Sequence, residues 1–352
     1  MALKSTYKTK PVGVIGAGSF GAAIANILAE KSDVIIYTRR EEIAREIREK
    51  RTSYGRPLDD RIEATSDIGY LAESCDVIFP IVPSNGFRDM MKTLAPHIHP
   101  YHILIHGTKG LDLRARQEEI DNPNFQLDRS AIHTMSEVIR EESVAVRVGC
   151  LAGPNLSKEL SDKKPAATVI ASRFDEVIQT GQKLLRSDRF QVYGSKDLVG
   201  VELAGVLKNI IAIASGAITG MNLGENARAL LVSRGMVEMI YIGRALGGDI
   251  HAFIGLAGVG DLVATCASPL SRNYTVGYRL AQGETLEQIL STMEEVAEGV
   301  NTIRLVKKIV EHYNMRAPIT EMLYRVLFEG TTVKEALAYL MKYPFNIDVD
   351  FL

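Results

Sequence analysis

Residues 12–21, VGVIGAGSFG, constrain this chain more than any other stretch. An apolar run ends in Gly16, and further glycines stand at 18 and 21 in the spacing G-x-G-x-x-G. The string alone is weak. Its position straight after an apolar run, at the opening of a helical pattern, gives it meaning. Gly16 permits a tight turn, Gly18 lets the backbone approach a pyrophosphate, and Gly21 permits close packing of helix on strand. The first turn of the following helix offers free N–H groups and a partial positive charge, which suits phosphates. The competing reading is a glycine-rich turn that binds nothing.

Apolar runs recur through the first half, at 34–38 (VIIYT), 76–82 (DVIFPIV), 102–107 (HILIHG), 144–153 (VAVRVGCLAG), 166–172 (AATVIAS) and 189–195 (RFQVYGS). Helical patterns at 19–31, 41–50 and 87–94 separate the earlier ones. Strands that are apolar throughout are covered on both faces, and helices between them imply right-handed crossovers. The expected class is therefore α/β with a parallel-rich sheet. Beyond about Lys196 the pattern turns helical, with Ala and Gly closely spaced in GVELAGVLKNIIAIASGAITG (200–220), which suits tight helix packing. A chain of 352 residues suits two domains of roughly 150 residues each. The expected division is a dinucleotide-binding domain over 1–196 and a helical domain over 197–352. The polar stretch 113–130, with DNPN at 121–124, reads as a surface excursion.

Composition excludes some partners. With 41 basic and 43 acidic side chains the net charge is −2, which argues against a dedicated nucleic-acid binder but leaves room for local phosphate pockets. Cys75, Cys150 and Cys266 are odd in number and far apart. They make neither a disulfide framework nor a C-x-x-C metal site, so no metal is expected and a reducing cytoplasm fits. The longest apolar stretch, 203–218, is interrupted by Lys208 and Asn209. It falls short of the ~20 clean residues that a bilayer span needs, so no membrane span is expected. The basic start (Lys4, Lys8, Lys10) runs into the first strand without a cleavage pattern and reads as a short tail.

The end of the second apolar run bears on cofactor choice. An Asp or Glu there would hold the ribose 2′-hydroxyl of NAD. The sequence instead reads Tyr37, Thr38, Arg39, Arg40, with acids only at Glu41 and Glu42. Two planar guanidiniums suit a 2′-phosphate, which favours NADP with NAD possible. The alternative is that both arginines merely flank a solvated helix start.

Three clusters in the second half carry chemistry. Lys208 sits in LAGVLKNIIAIASG, sharing a helical face with Ala204, Gly205, Ile211 and Ala212. An ammonium stripped of water there has a lowered pKa and becomes a usable general base. The alternative is a lysine that snorkels to the surface. Asp261 lies among three glycines in GLAGVGDLVATC (255–266), where it could hold an ammonium or a substrate hydroxyl, or cap a helix starting at Leu262. Ser271, Arg272 and Asn273 precede an expected helix beginning near Tyr274. Free N–H groups plus Arg272 suit a phosphate, and an ordinary cap is the alternative.

GAGSFG, TKGL at 108–111, GPNLSKEL at 153–160, the lysine segment, the GLAGVGDLVATC segment and LSRN at 270–273 occur in this order. From Val12 to about Tyr343 the chain thus resembles NAD(P)-dependent glycerol-3-phosphate dehydrogenase, and more narrowly its bacterial soluble biosynthetic type. The resemblance implies a Rossmann-type N-terminal domain, an all-helical C-terminal domain and a site between them. It implies interconversion of sn-glycerol 3-phosphate and dihydroxyacetone phosphate for phospholipid synthesis by a homodimer. Matched residue by residue, it makes Lys208 the proton acceptor. Lys109 contacts cofactor and substrate and, with Asp261, orients the reacting group, with Thr265 as a helper. Ser271, Arg272 and Asn273 form the segment for the substrate phosphate and cofactor. Gly153 and Asn155 contact substrate, with Ser157 beside the cofactor. Val296 and Glu298 lie near the nicotinamide, and Ser19, Phe20, Arg39 and Arg40 match cofactor positions.

This chain departs from the bacterial pattern at Phe20, where Trp is common, and at Ala152 and Asn155, which flank Gly-Pro where serine and serine or threonine are usual. Its 121–129 excursion and the tail after Pro344 look longer than usual. Two other readings remain. One is a different β-hydroxyacid-type dehydrogenase of the same plan, acting on a carboxylate substrate. The other is a dinucleotide-sensing protein without turnover.

Overall fold

All four residues of the first strand, β1 (Val12–Ile15), are buried, because the sheet they enter is covered on both sides. The fold is seen in a computed structural model that describes residues 10–113, 127, 129–293 and 297–344. The other strands, in chain order, are β2 (Val34–Tyr37), β3 (Thr52–Ser53), β4 (Arg56–Pro57), β5 (Ile62–Thr65), β6 (Val77–Pro80), β7 (Ile103–His106), β8 (Leu111–Leu113), β9 (Ile132–Thr134), β10 (Arg147–Ala152), β11 (Ala166–Ser172) and β12 (Phe190–Ser195). Eight of these form one sheet in the order β12-β11-β10-β7-β6-β1-β2-β5. Every pairing in it is parallel except β10 with β11.

The chain moves outward from β1 to β2 and β5, then returns to lay β6 on the other side of β1. That reversal is the switch point of a doubly wound sheet, where a crevice opens outside the carboxyl ends of the strands. Alternate residues of each strand enter opposite cores. Val14, Ile36, Phe79 and Ile105 pack on one face with Ile24 and Leu28. Ile15, Ile35, Ile78 and Leu104 pack on the other with Leu71, Phe87 and Met135.

The edge strand β5 was not among the expected runs. Its IEAT places Glu63 in solvent among buried neighbours, so it lacks the continuous apolar run of a central parallel strand. The run expected at 144–153 narrows to Arg147–Ala152 because Val144 and Val146 are exposed, at 57% and 55%. The stretch expected as a surface excursion begins and ends in paired backbone, β8 against β9. Residues 114–126 and 128 lie outside the described residues, as do 1–9 and the tail from 345.

From Leu198 onward the chain is helical. The Leu198–Gly220 helix is long and apolar enough to cross a membrane by length and composition, contrary to the expectation from sequence, yet 89% of its most apolar window is buried within the protein. Lys208 and Asn209 are buried with it. The Arg272–Ala281 helix crosses it at backbone contact. A Cβ on Gly277 would lie 1.7 Å from the Ile213 carbonyl oxygen, and one on Gly216 would lie 1.9 Å from that of Tyr274. The small residues of the sequence thus bring two backbones together, and with them Lys208 and the Arg272 segment. The second helix starts at Arg272, two residues earlier than expected, because Ser271 is its N-cap and accepts from Tyr274 N at 3.3 Å.

Candidate active site

Lys109, Lys208 and Asp261 reach one point from three elements. Lys109 follows β7 on a loop pinned by Thr108, whose Oγ1 donates to the Val82 carbonyl at 2.6 Å. Its stem lies beside Gly205 of the long helix, where a Cβ would stand 3.7 Å from Lys109 Cγ. Lys109 Nζ donates to Asp261 Oδ2 at 2.5 Å and to the Gly153 carbonyl at 3.2 Å. Lys208 Nζ donates to Thr265 Oγ1 at 2.6 Å and stands 3.0 Å from Asp261 Oδ1. Thr265 is fixed in turn by donating to the Asp261 carbonyl at 2.6 Å.

Asp261 opens the Asp261–Cys266 helix, directly after a π-helical turn over Leu256–Gly260. Its carboxylate does not cap that helix; it faces the two lysines. Lys208 is 4% exposed and Asp261 2%. Burial strips water from the Lys208 ammonium and lowers its pKa to about 8. The Asp261 charge opposes that shift, and the Lys109 charge adds to it. The lysine is therefore buried rather than snorkelling. One carboxylate between two ammoniums leaves local positive charge, suited to an oxygen that gains negative charge during reaction.

The Ser271–Asn273 segment, expected to take a phosphate, lines the same cleft. Asn273 Oδ1 accepts from Gly299 N at 2.9 Å, which leaves its NH₂ group to serve another acceptor. Arg272 is the first residue of the helix behind Ser271. Glu298 accepts from Ser84 N at 2.9 Å and also from Ser84 Oγ, tying the start of the Glu298–His312 helix to the loop after β6. Val296, expected with Glu298 near the nicotinamide, lies outside the described residues.

The glycine loop fits a dinucleotide. Gly16 has φ +114°, and a Cβ on it would meet the Ile81 carbonyl oxygen at 2.1 Å. A Cβ on Gly21 would meet the Gly16 oxygen at 1.9 Å. A Cβ on Gly18 would meet nothing within 4 Å, so the loop is open at that residue alone of the three. Gly16 and Gly21 shape the turn, and Gly18 leaves room for a pyrophosphate at the start of the Ser19–Ala29 helix. Ser53 Oγ braces the loop by donating to the Ala17 carbonyl at 2.7 Å.

A single cleft of about 230 Å³ gathers most of the expected residues: Gly18, Ser19, Phe20, Gly21, Lys109, Asn155, Ser157, Lys208, Asp261, Thr265, Ser271, Arg272, Asn273 and Glu298. Gly16 sits behind the loop, and Gly153 contributes its carbonyl to Lys109. Arg39 and Arg40 are exposed after β2, outside this lining, with Arg40 Nε 3.9 Å from Glu42 Oε1. A larger apolar cavity of about 430 Å³ lies among the helices of the C-terminal half, lined by residues such as Ile213, Leu231 and Leu323. It shares no lining residue with the cleft.

Two features escaped the sequence reading. Asn209 also lines the cleft. His106 Nε2 stands 2.9 Å from Glu202 Oε1, both groups buried, and Glu202 also accepts from Ser136 N at 2.9 Å. Burial pushes the Glu202 carboxyl up, but His106 and the Ser136 donors outweigh it and hold the group below the usual carboxylate range. The pair joins the end of β7, just before Lys109, to the helix that carries Lys208. A lone acid within VGVELAGVL was the available signal.

Residues 11–178 match the family model for the N-terminus of NAD-dependent glycerol-3-phosphate dehydrogenase, and residues 197–338 match the model for its C-terminus. The chain belongs to this family. A glycerol-3-phosphate dehydrogenase (NAD(P)+) of Teredinibacter turnerae is 40% identical over 344 residues, covering 96% of each chain. One from Ectopseudomonas mendocina is 39% identical over 348 residues, covering 97% of each. The crystal structure of glycerol-3-phosphate dehydrogenase from Coxiella burnetii superimposes with a TM-score of 0.84 at 29% identity, over 95% of this chain and 99% of that one. Membership makes the chain an oxidoreductase that uses a nicotinamide dinucleotide.

Proposed function

We propose that this chain interconverts sn-glycerol 3-phosphate and dihydroxyacetone phosphate, with NADP(H) as the preferred cofactor and NAD(H) accepted. The reading extends to a cytoplasmic homodimer that supplies glycerol 3-phosphate for phospholipid synthesis, built of units 1–196 and 197–352. The observation that carries the reaction is Lys208, buried beside Asp261 and Thr265 in the same cleft as Gly18.

Gly16, Gly18, Ser19, Phe20 and Gly21 would hold the dinucleotide, with Ser157, Val296 and Glu298 further along it. When bound, its nicotinamide supplies or accepts the hydride. Lys208 moves the proton. In the direction of reduction its ammonium gives a proton from Nζ to the oxygen of the former ketone. In oxidation the neutral amine takes the hydroxyl proton. Asp261 holds Lys208 and Lys109 at fixed spacing, and Thr265 sets the direction of Nζ by accepting a hydrogen bond from it. Lys109 adds positive charge beside the reacting oxygen. Arg272, Ser271 and the Asn273 NH₂ group bind the substrate phosphate at the helix start. Arg39 and Arg40 receive the 2′-phosphate that distinguishes NADP.

Oxidation of NADPH is followed with dihydroxyacetone phosphate, then repeated with NADH and with small 2-keto and 3-keto acids. The proposal expects turnover on the phosphate with both cofactors, faster with NADPH. Turnover on a keto acid alone, or dinucleotide binding with no turnover on any ketone, overturns it.

A further inference from the structure

Asn155 Oδ1 is the only side-chain carbonyl or carboxylate oxygen among the described residues that is buried without a hydrogen-bond partner. Leaving such an acceptor unmade disfavours the fold, and a buried orphan calls for an explanation. The orphan has a definite local cause. Gly153 turns the chain with φ +149°, so closely that a Cβ there would lie 3.2 Å from Thr168 Cα. Asn155 is thereby brought over β11, where Thr168 is fully buried. Thr168 has one proton, and it is donated to the Ala152 carbonyl at 3.1 Å. Towards Asn155 the hydroxyl can therefore act only as an acceptor, and it takes Asn155 Nδ2 at 2.9 Å. The amide nitrogen is fixed on the strand, and the oxygen is the end left over.

Asn209 of the long helix also lines the cleft, beside Lys208, and the other side-chain carboxylates and amides there are already engaged. Asp261 spends its carboxylate on Lys109 and Lys208. Glu298 spends its own on Ser84. Asn273 Oδ1 is taken by Gly299 N. Lys109, Lys208 and Arg272 can only donate.

We infer that Thr168 is a positioning residue that fixes the Asn155 amide so that Oδ1 accepts a hydrogen bond from the free terminal hydroxyl of the substrate, making the pair a specificity device for a hydroxyl-bearing ketone phosphate. This rests on the function proposed above. There the ketone oxygen belongs to Lys208 and the phosphate to Arg272 and Asn273, so the terminal hydroxyl is the one substrate donor left. A site built to pair a hydroxyl rejects the analogue lacking it much more strongly than an apolar pocket rejects a missing methylene.

The test compares dihydroxyacetone phosphate with the phosphate ester of hydroxyacetone, which lacks only that hydroxyl. Wild-type kcat/KM is expected to favour the former by about ten-thousandfold. Thr168→Val removes the hydroxyl that orients the amide, and the preference is expected to fall by about tenfold. Thr168→Ser is expected to restore it. Asn155→Ala serves as the second variant if Thr168→Val does not fold, and is expected to abolish most of the preference. A loss shared equally by both substrates in Thr168→Val, or an unchanged preference in Asn155→Ala, overturns the inference and assigns the oxygen to the cofactor or to the fold. Wild-type protein inactive on dihydroxyacetone phosphate would instead refute the function, before any variant is read.

Discussion

Lys208 Nζ and Asp261 Oδ1 stand 3.0 Å apart, with both side chains almost wholly buried. The two residues stand more than fifty positions apart in sequence, and Lys109 meets the same carboxylate from the sheet side. The cluster is thus assembled by the packing of the C-terminal helices on the sheet, and it sets what the amine can do.

Replacing that amine tests its role most directly. Lys208→Ala is expected to lower kcat by about a hundredfold or more, the low end of a general acid–base contribution. Steady-state NADPH oxidation with dihydroxyacetone phosphate measures this, with circular dichroism to confirm folding. Near-normal turnover would remove Lys208 from proton transfer.

The pH dependence follows from burial. Lys208 titrates at about 8 in the fold against an ordinary 10.5. Oxidation of glycerol 3-phosphate needs the neutral amine, so its rate should rise as pH passes about 8. Reduction needs the ammonium and should fall over the same range. For stability the sign is set by the lowered folded pKa. Between about 8 and 10.5 the unfolded chain binds the extra proton, so this group's contribution improves with rising pH across that window, and its penalty is complete below it. A flat rate profile from pH 6 to 10 in both directions would count against the assignment.

Asp261→Asn should move that profile. The carboxylate charge raises the Lys208 pKa, so its removal is expected to shift the kcat limb to lower pH while reducing kcat. Matched pH–rate curves for wild type and variant decide the point; a limb that stays in place shows that Asp261 does not tune the lysine.

The glycine loop separates shape from binding. Gly18 has an extended backbone, and a Cβ there meets nothing within 4 Å. Gly18→Val should therefore fold with stability within about 0.5 kcal/mol of wild type while weakening NADPH binding about tenfold or more by filling the pyrophosphate space. Gly21→Ala places a carbon 1.9 Å from the Gly16 oxygen and should destabilise the fold by about 1–3 kcal/mol. Thermal unfolding and NADPH titration of both variants separate the two effects, and a Gly18→Val protein that binds NADPH normally contradicts the loop's role.

The proposed preference for NADP rests on the end of β2. Arg39→Ala combined with Arg40→Ala should raise KM for NADPH about tenfold, the loss of one or two charge-assisted hydrogen bonds, and change KM for NADH little. Equal effects on both cofactors would mean that the arginines do not distinguish the 2′-phosphate.

Much of this was legible in the residues. The expected strands at 34–38, 102–107 and 166–172 are present because a buried parallel strand has to be apolar on both faces, and that leaves an unmistakable run. The edge strand β5 was not legible, because a strand with one solvated face needs no such run. Lys208 could be singled out as anomalous in an apolar helix, but periodicity left it as easily on a solvated face as in a site. Glu202 carried the same signal and was passed over, since nothing local indicates that His106 lies across from it. Thr168 offered no signal: within AATVIAS it reads as one more strand residue.

The order of residues by itself determined the glycine turn, the alternation that makes a doubly wound sheet, and the small-residue stripe of the long helix, because these depend on backbone conformation and on patterns spanning only a few residues. Which charges meet was decided only by tertiary structure. Lys109, Lys208 and Asp261 form one cluster because the loop after β7, the long helix and the helix opening at Asp261 pack together, and desolvation, which lowers the amine's pKa, exists only once that packing has excluded water.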